Sequence, residues 1–382
     1  MKIRVSSLVR ILEIYAMRSV IHILHVFKLK NNRIIFNSYR GEQYSCSPKY
    51  LSEYLNDKNE GWEIIWAFNH PYDYKWLKKW GITAVKYNSL KRFYYEATAY
   101  ASINNVGSFS WIPLRKGQIH INTWHGGGCY KRVALGELKN DALFKKSLIM
   151  NSEETTHFLS SSRFFSEEII PNEFGYFGKV VTSGLPRNDV FFDKKKVSSN
   201  RDKVIQAYGL KSDVFIVLYA PTWRYDGTTE IEHPDFEIII SEVVEKYGKE
   251  CEIIIRPHPL SYLSCKGYID ASKYPDMQEL LCAADMLITD YSSCIWDYAL
   301  LLRPCILFIP DEDNYLANRG LYKNIKEWRI PIANSNEELI NCIKNLSDKE
   351  MADAMKDHLD LLGSFENGKA SETVYRILHN KY

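Results

Sequence analysis

The chain has 382 residues, of which 46% are hydrophobic and 25% are charged, so it carries enough apolar mass for more than one packed core. At about 100 to 200 residues per domain, this length predicts two domains. The net charge of +2, from 49 Lys and Arg against 47 Asp and Glu, excludes a polybasic nucleic-acid binder and an acidic disordered chain.

Residues 1–30 carry a local excess of positive charge, because six basic residues stand against the single acid Glu13. Apolar residues recur between them near helical spacing. This pattern is typical of an amphipathic helix at an anionic membrane surface, which is the interpretation we favour. The alternative is a helix packed on its own domain.

Targeting and cysteine patterns point to an intracellular protein. The N-terminal region lacks a short apolar core followed by a small-residue cleavage site, and no stretch reaches about 20 uninterrupted apolar residues. The 8 cysteines never approach C-x-x-C spacing, and several lie in apolar runs. They are expected to be buried thiols in a reducing compartment.

Short β-rich runs alternate with helical patterns along the rest of the chain, as in βαβ units with parallel sheets. The first series of strands is predicted at 33–36, 63–68, 84–87, 100–103 and 118–122, with helices at 48–56 and 90–99. The second series is predicted at 214–219, 251–255, 286–289 and 304–308, with a helix over 295–302. The polar, lysine-rich segment 193–203 lies between the two series and is interpreted as a linker.

These runs predict an α/β protein with two Rossmann-like, doubly wound domains facing a central cleft, preceded by the N-terminal amphipathic helix. We expect the domains to cover residues 31–192 and 204–382, with the last helix packing either on its own domain or back on the N-terminal one. Loops after the strands of both sheets would then surround the cleft.

The first candidate site is the segment 122–128, NTWHGGG, directly after a predicted strand. His125 is followed by Gly126 and Gly127, which would leave the imidazole unscreened and let a substrate approach the backbone. Histidine accepts a proton near neutral pH, so His125 is a candidate general base. A glycine-rich turn with a packing histidine is the structural alternative.

Two further candidate sites have the chemistry of an anion site. Arg256 and His258 follow a buried-looking strand in the turn RPHP and form a compact donor set for phosphate oxygens. Asp290, Ser292 and Ser293 precede a predicted helix, where backbone N–H groups and hydroxyls suit a phosphate. The structural alternative for Arg256 and His258 is that one of them stabilises the turn. For Asp290, Ser292 and Ser293 it is a simple helix cap.

Three further residues are weaker anion-binding candidates, and two common nucleotide-binding motifs are absent from the sequence. Thr222, Arg224 and Arg187 follow β-like runs in proline-containing turns, and are weaker anion-binding candidates. No D-x-D pair follows a strand as in metal-dependent nucleotide-sugar sites, and no phosphate-binding P-loop is present. We therefore expect no obligatory metal ion and no cofactor.

Taken in order, these segments resemble the CDP-glycerol glycerophosphotransferase family, bacterial enzymes that build teichoic acids and related capsules. The resemblance lies in ordered motifs at 36–50, 123–126, 184–189, 219–224, 256–259, 284–293 and 311–322. It covers nearly the whole chain after residue 33. A departure occurs at 127–129, where many members have Thr or Ser and then Pro, and this affects the acceptor side of the loop.

The resemblance implies a GT-B type architecture with an N-terminal acceptor domain and a C-terminal donor domain. It implies that His125 is the base, with His258 a second catalytic residue, and that Gly126 and Gly127 form the acceptor loop. Donor binding is implied for the motif residues Arg256, Asp290, Ser292, Ser293, Thr222, Arg224, Arg187 and Arg319.

The expected reaction is attack of an acceptor hydroxyl on the β-phosphorus of CDP-glycerol or CDP-ribitol, with release of CMP. The expected partners are a lipid-linked saccharide or polyol-phosphate acceptor and an anionic membrane surface, and the expected place is the cytoplasmic face of the bacterial membrane. Two alternatives stay open: a GT-B glycosyltransferase that uses a nucleotide sugar, and a non-catalytic assembly subunit.

Overall fold

A computed structural model of the chain describes residues 2–107, 112–136, 142–224, 232–257 and 265–379. They form two compact units. The first comprises Met1–His125, Ala134–Asp189 and Phe365–Tyr382, and the second comprises Gly126–Val133 and Val190–Ser364. The chain thus enters the second unit directly after His125.

The strands are β1 Lys30–Asn37, β2 Glu63–Phe68, β3 Thr83–Lys86, β4 Ala99–Asn104, β5 Ile119–Asn122, β6 His157–Ser160, β7 Lys179–Thr182, β8 Phe215–Ala220, β9 Cys251–Ile255, β10 Ile269–Asp270, β11 Met286–Thr289, β12 Cys305–Phe308 and β13 Ile332–Ala333. The α-helices are α1 Lys2–Leu24, α2 Cys46–Asp57, α3 Leu90–Thr98, α4 Ala142–Glu153, α5 Ile170–Phe174, α6 Lys194–Tyr208, α7 Phe236–Tyr247, α8 Met277–Ala283, α9 Cys294–Ala299, α10 Glu312–Asn318, α11 Asn336–Asn345, α12 Asp348–Leu362 and α13 Ala370–Leu378.

The first unit contains a 7-stranded sheet in the order β3-β2-β1-β4-β5-β6-β7, and its strand pairs are parallel. Alternate residues of β1 face opposite cores, because successive side chains of a strand point to opposite faces. Ile34 and Phe36 pack in the core that includes residues of α2 and α13. Ile35 packs on the other face, where Tyr95 of α3 covers it.

The second unit contains a 6-stranded parallel sheet in the order β10-β9-β8-β11-β12-β13. Its central strands are apolar and buried along their length, as expected for a parallel sheet covered on both faces. The two sheets confirm the predicted doubly wound α/β fold class. Every strand predicted from the sequence is present, with each end within three residues of its predicted position.

The predicted linker at 193–203 is wrong, because this segment lies in helix α6. Asp193 accepts hydrogen bonds from the N–H groups of Lys195 and Lys196 at 3.0 and 3.3 Å, and so caps the first turn. Gly209 ends the helix in a left-handed conformation, with φ 65°. The polar composition reflects a solvated face, while Val204 is fully buried.

Helix α1 is present, and its carboxyl-terminal half packs on the first unit. Ile21 is fully buried against Phe93 and Ala97 of α3, as in the packed-helix alternative. Arg18 forms an ion pair with Glu154 at 2.7 Å. Leu12 and Ile23 remain exposed, at 61% and 72%, so α1 also presents an apolar surface to solvent.

No helix in the described ranges is both long and apolar enough to cross a bilayer. All 8 cysteines are free, and most of them are buried. Burial raises the pKa of the Cys251 and Cys282 thiols to about 12, which keeps them protonated. These thiols therefore behave as the small core side chains that the sequence predicted.

Candidate functional site

His125 lies at the carboxyl end of the first sheet, just beyond β5, and its side chain is partly exposed. Its Nδ1 lies 2.7 Å from the backbone carbonyl oxygen of Asn105, which follows β4. A carbonyl only accepts, so Nδ1 carries the proton and donates it, and Nε2 holds the lone pair. This tautomer is the one that a general base acting through Nε2 requires.

Asn105 also ties His125 to a second motif. Its buried side chain accepts a hydrogen bond from the N–H of Tyr39 at 2.8 Å and donates to the hydroxyl of Ser38 at 3.1 Å. The Tyr39 ring meets the His125 ring edge to face, with centroids 5.4 Å apart. The 38–44 loop and the imidazole are therefore held by one residue that the sequence analysis missed.

The backbone is strained where these loops meet. Tyr39, Arg40 and Trp124 have positive φ values of 46°, 57° and 51°. None is glycine, and such conformations cost about 1 to 3 kcal/mol each, so they persist where the surrounding structure enforces them. The strain lies on both sides of the imidazole and supports a functional assignment for this corner.

Arg187 belongs to the same corner. Its buried guanidinium donates to the His125 carbonyl oxygen at 2.8 Å and contacts the Cys46 sulfur at 3.2 Å. The sequence analysis placed Arg187 among the donor-binding residues, most of which lie in the second unit. In the structure it holds the backbone of the candidate base, within the first unit.

The motif that contains Arg187 also fixes the C-terminal segment. Glu366 accepts hydrogen bonds from the Leu185 N–H at 3.0 Å and the Asn188 side chain at 2.8 Å. Asp189 accepts from the N–H groups of Ala370 and Ser371, at 2.9 and 2.8 Å, and so caps α13. Helix α13 belongs to the first unit, and its Val374 and Ile377 pack in the core of that unit.

The glycines after His125 have a packing role. A Cβ on Gly127 would lie 2.0 Å from the ring of Trp296, and one on Gly128 would lie 2.3 Å from the ring of Tyr130. Aromatic rings therefore occupy the space where side chains at 127 and 128 would stand, which accounts for glycine at both positions. A role of Gly126 and Gly127 in acceptor binding stays a prediction.

A buried Tyr130 to His358 hydrogen bond anchors the same loop within the second unit. The Tyr130 hydroxyl and His358 Nε2 are 2.6 Å apart, and His358 Nδ1 donates to the Trp328 carbonyl at 2.8 Å. Burial lowers the pKa of His358 to about 4, despite the opposing hydrogen bond to Trp328. The ring is therefore neutral, and Tyr130 is the donor.

In the second unit, Asp290 joins the ends of β8 and β11. It accepts hydrogen bonds from the N–H and hydroxyl of Thr222, at 3.0 and 3.1 Å, and from Arg224 at 2.8 Å. Asp311 binds the same guanidinium through two hydrogen bonds of 2.7 and 2.9 Å. Thr222, Arg224 and Asp290 are thus brought together as predicted, but they mainly bind one another.

Arg224 stays charged in this cluster. Burial lowers the pKa of Arg224, but the hydrogen bonds to Asp311 and the charge of Asp290 raise it by more. The stacked rings of Tyr291 and Tyr315, whose centroids are 3.7 Å apart, lie against the guanidinium. Arg224 is therefore a brace between three loops, and an anion at this edge needs further cations.

Lys131 supplies one such cation, and the sequence analysis did not identify it. Its backbone bridges to Leu321 of the 319–322 motif, and Arg132 N–H donates to the Gly320 carbonyl at 3.3 Å. Burial lowers the pKa of Lys131 to about 8, with attraction to Asp290 opposing the shift and repulsion from Arg319 adding to it. The charges of Asp290 and Arg319 thus both act on the Lys131 ammonium.

The other donor-site candidates are placed as follows. Arg256 contacts the carbonyl oxygens of Ala271, Ser272 and Tyr274, so at least one of its nitrogens braces the turn. His258 lies outside the described residues. Ser292 and Ser293 are partly exposed before α9, and the Ser292 hydroxyl accepts a hydrogen bond from the Cys294 N–H at 3.3 Å.

Within the described ranges, no group of three or more His, Cys, Asp or Glu side chains is arranged to hold a metal ion. The candidate residues thus form two groups, one around His125 in the first unit and one around Asp290 in the second.

The family model for CDP-glycerol:poly(glycerophosphate) glycerophosphotransferase matches residues 19–380. A teichoic acid poly(glycerol phosphate) polymerase of Bacillus subtilis (strain 168) is 30% identical over 370 residues, which cover 91% of this chain and 48% of the polymerase. A teichoic acid glycerol-phosphate transferase of Staphylococcus aureus is 27% identical and matches 92% of this chain and 94% of the transferase.

The solved structure of a histidine-to-asparagine variant of the wall teichoic acid polymerase TagF superimposes with a TM-score of 0.81 at 27% identity, covering 99% of this chain and 96% of that one. The same variant soaked with CDPG matches equally well. The chain spans about half the length of the Bacillus subtilis polymerase and of a Staphylococcus epidermidis polymerase, at 48% and 51%.

Proposed function

Because the chain belongs to the CDP-glycerol:poly(glycerophosphate) glycerophosphotransferase family, we propose that it transfers glycerol phosphate from CDP-glycerol to a teichoic acid precursor. The family predicted from the ordered motifs is confirmed. The observation that carries the proposed chemistry is the hydrogen bond from His125 Nδ1 to the Asn105 carbonyl, which leaves the lone pair on Nε2.

In the proposed reaction, His125 Nε2 takes the proton of an acceptor hydroxyl. The hydroxyl oxygen then forms a bond to the β-phosphorus of CDP-glycerol, and the bond from that phosphorus to the bridging oxygen breaks. CMP leaves with the electron pair, and the product is a phosphodiester. Arg187 and Asn105 act as positioning residues. The Asn105 backbone carbonyl binds the His125 ring, and the Arg187 side chain binds the His125 backbone carbonyl.

Charge on the diphosphate is met in the second unit. Lys131 and Arg319 provide positive charge, and the hydroxyls of Ser292 and Ser293 provide donors. Arg256 and His258 stay donor-site candidates from the family motif. Asp290, Thr222 and Arg224 hold the loops that carry these groups, because their own hydrogen bonds are largely made within the cluster.

The acceptor is proposed to be membrane-bound, with α1 resting on the cytoplasmic face of the membrane. The exposed side chains of Leu12 and Ile23 support this, together with the excess of basic residues in 1–30. Ile21 packs on α3, so the side of α1 that carries Ile21 is buried in the protein and does not face the membrane.

Mass spectrometry of the products tests the proposal. The purified chain is incubated with a synthetic lipid-linked acceptor and either CDP-glycerol or CDP-ribitol. We expect products that gain glycerol phosphate units, with CMP released in equal amount. Gain of ribitol phosphate alone would identify CDP-ribitol as the donor and contradict the proposed use of CDP-glycerol. No gain with either compound would contradict the proposed transfer itself.

A further inference from the structure

The connection between β2 and β3 exposes a stripe of aromatic side chains. Tyr72, Trp76 and Trp80 recur at intervals of four residues and are exposed to 77%, 42% and 45%. The segment is held from beneath, because Leu77 is fully buried and Tyr74 stacks on Phe68 with centroids 3.9 Å apart. Exposed aromatic groups of this size mark interaction surfaces.

Lysines flank the stripe. Lys75, Lys78 and Lys79 are all exposed, and Asp73 is the only acid within Pro71–Trp80. The Lys75 ammonium lies 4.7 Å from the centre of the Tyr72 ring. In the part of the chain that the structure describes, these lysines form no salt bridge, so their charge is available to an anion. We call residues Tyr72–Trp80 the aromatic-lysine stripe.

The stripe adjoins the loop that contacts the candidate base. The Tyr74 hydroxyl donates to the Glu42 carbonyl at 3.3 Å, and the Trp76 ring meets the Tyr44 ring with centroids 5.5 Å apart. The same 38–44 loop carries Tyr39, whose ring contacts His125. The aromatic-lysine stripe is thus connected to His125 through one loop of the first unit.

We propose that the aromatic-lysine stripe binds the anionic polyol-phosphate chain of the acceptor. The inference rests on the proposed function. A polyol-phosphate chain carries a negative charge on each repeating unit, which complements the lysines, while its carbon backbone can lie against the aromatic rings. Binding along the stripe would hold a growing chain while its terminal hydroxyl reaches His125.

A membrane surface is the competing occupant, and the position of α1 disfavours it. Helix α1 packs on α3, which covers one face of the first sheet. The stripe is anchored on the opposite face, where Leu77 and Tyr74 pack in the core that includes Leu51 of α2. A bilayer held by α1 would therefore approach the other face of the sheet.

Two variants test the inference on the full chain, namely the triple change Lys75→Gln, Lys78→Gln and Lys79→Gln and the double change Trp76→Ala and Trp80→Ala. The matched controls are Lys194→Gln, Lys195→Gln and Lys196→Gln on exposed positions of α6, and Phe177→Ala, which is 85% exposed. The probe is lipid-free poly(glycerol phosphate), and its affinity is measured without CDP-glycerol. Binding is therefore read independently of transfer.

We expect the triple variant to bind the polymer about tenfold more weakly and to lose part of the salt dependence of binding, since three solvent-exposed charge pairs are removed. The double variant should also bind more weakly, and KM should rise more for long acceptors than for short ones. CDP-glycerol affinity should not change.

Wild-type affinity for the polymer in both variants would overturn the inference. Loss of binding to anionic lipid vesicles with unchanged polymer binding would also overturn it, and would assign the surface to a membrane. Failure of the wild type to transfer glycerol phosphate contradicts the proposed function instead, because polymer binding is measured separately.

Discussion

At the scale of single residues, His125 carries the proposed chemistry, and its neighbours only hold it in place. The Asn105 carbonyl fixes the tautomer, Arg187 fixes the backbone, and Trp124 adopts a strained φ of 51° just before the imidazole. Replacing these neighbours should therefore slow the reaction less than replacing the histidine.

We predict that His125→Ala reduces transfer by about 10² to 10⁴ while leaving CDP-glycerol affinity nearly unchanged, because a general base acts on the acceptor hydroxyl. Transfer rates and calorimetric donor binding measure the two effects. His70→Ala is the control, since His70 is exposed and its side chain caps nothing. Near-normal turnover of His125→Ala would make His125 a packing residue.

We predict that Lys131→Met weakens CDP-glycerol binding by about ten- to a hundredfold at neutral pH, as expected for loss of a charged hydrogen-bond donor. Burial lowers the pKa of Lys131 to about 8, so wild-type affinity should fall as the pH rises above that value and the ammonium loses its proton. The variant should lack this dependence.

Calorimetry between pH 6 and 10 measures this dependence, and the wild-type affinity should change most steeply near the Lys131 pKa of about 8. Lys326→Met is the control, because Lys326 is an exposed lysine of the same unit. An unchanged pH profile in Lys131→Met would remove Lys131 from the donor site.

The sequence identified the residues in loops after strands, but not the partners that come from distant segments. His125 and Asp290 follow apolar runs and are recognisable by position. Asn105 contacts His125 through its backbone carbonyl, and Lys131 is affected by the charges of Asp290 and Arg319, which lie far from it in the sequence. Such pairings depend on tertiary packing, and a single sequence contains no record of them.

At the scale of elements, the structure shows what the 184–189 motif does. Arg187 binds the backbone of His125, while Asn188 and Asp189 form hydrogen bonds with the C-terminal segment. One short turn therefore couples the candidate base to helix α13. This coupling is testable without any substrate.

We predict that Asp189→Ala lowers the free energy of unfolding by about 0.5 to 2 kcal/mol, because it removes the acceptor for two N–H groups at the start of α13. Urea unfolding measures the loss, and hydrogen exchange should locate it in residues 370–378. Asp202→Ala, on an exposed position of α6, serves as the control. Equal protection of α13 in both variants would contradict the capping role.

Nine strands were predicted correctly, among them the four-residue strands β3, β5, β11 and β12. Four strands were not predicted: β10 and β13 have only two residues each, too few for a pattern, and the four-residue strands β6 and β7 each have only two apolar residues, flanked by polar ones. The error at α6 had another cause. Its polar composition concealed a helix whose Asp193 and Gly209 are ordinary start and stop signals.

At the scale of the whole molecule, α1 is both a packed helix and a candidate membrane contact. Deleting it would expose Phe93 and Ala97, so a deletion confuses folding with membrane binding. Arg18 is also unsuitable as a probe, because it pairs with Glu154. Substitutions elsewhere on the helix separate the two roles.

We predict that the double variant Leu12→Asn and Ile23→Asn binds anionic vesicles more weakly than the wild type, with little change in Tm, because both side chains are already exposed. Ile21→Ala should instead lower Tm, since Ile21 is fully buried. Vesicle flotation and thermal unfolding measure the two effects. Wild-type flotation of the double variant would contradict a membrane role for α1.

In the proposed reaction, the new bond is formed to phosphorus. CDP-glycerol that carries an isotope in the β-phosphate, incubated with an acceptor and the purified chain, shows which bond is formed. We predict that the label enters the acceptor as a phosphodiester and that unlabelled CMP is released. Label recovered in CDP, or transfer that requires a nucleotide sugar, would contradict the account.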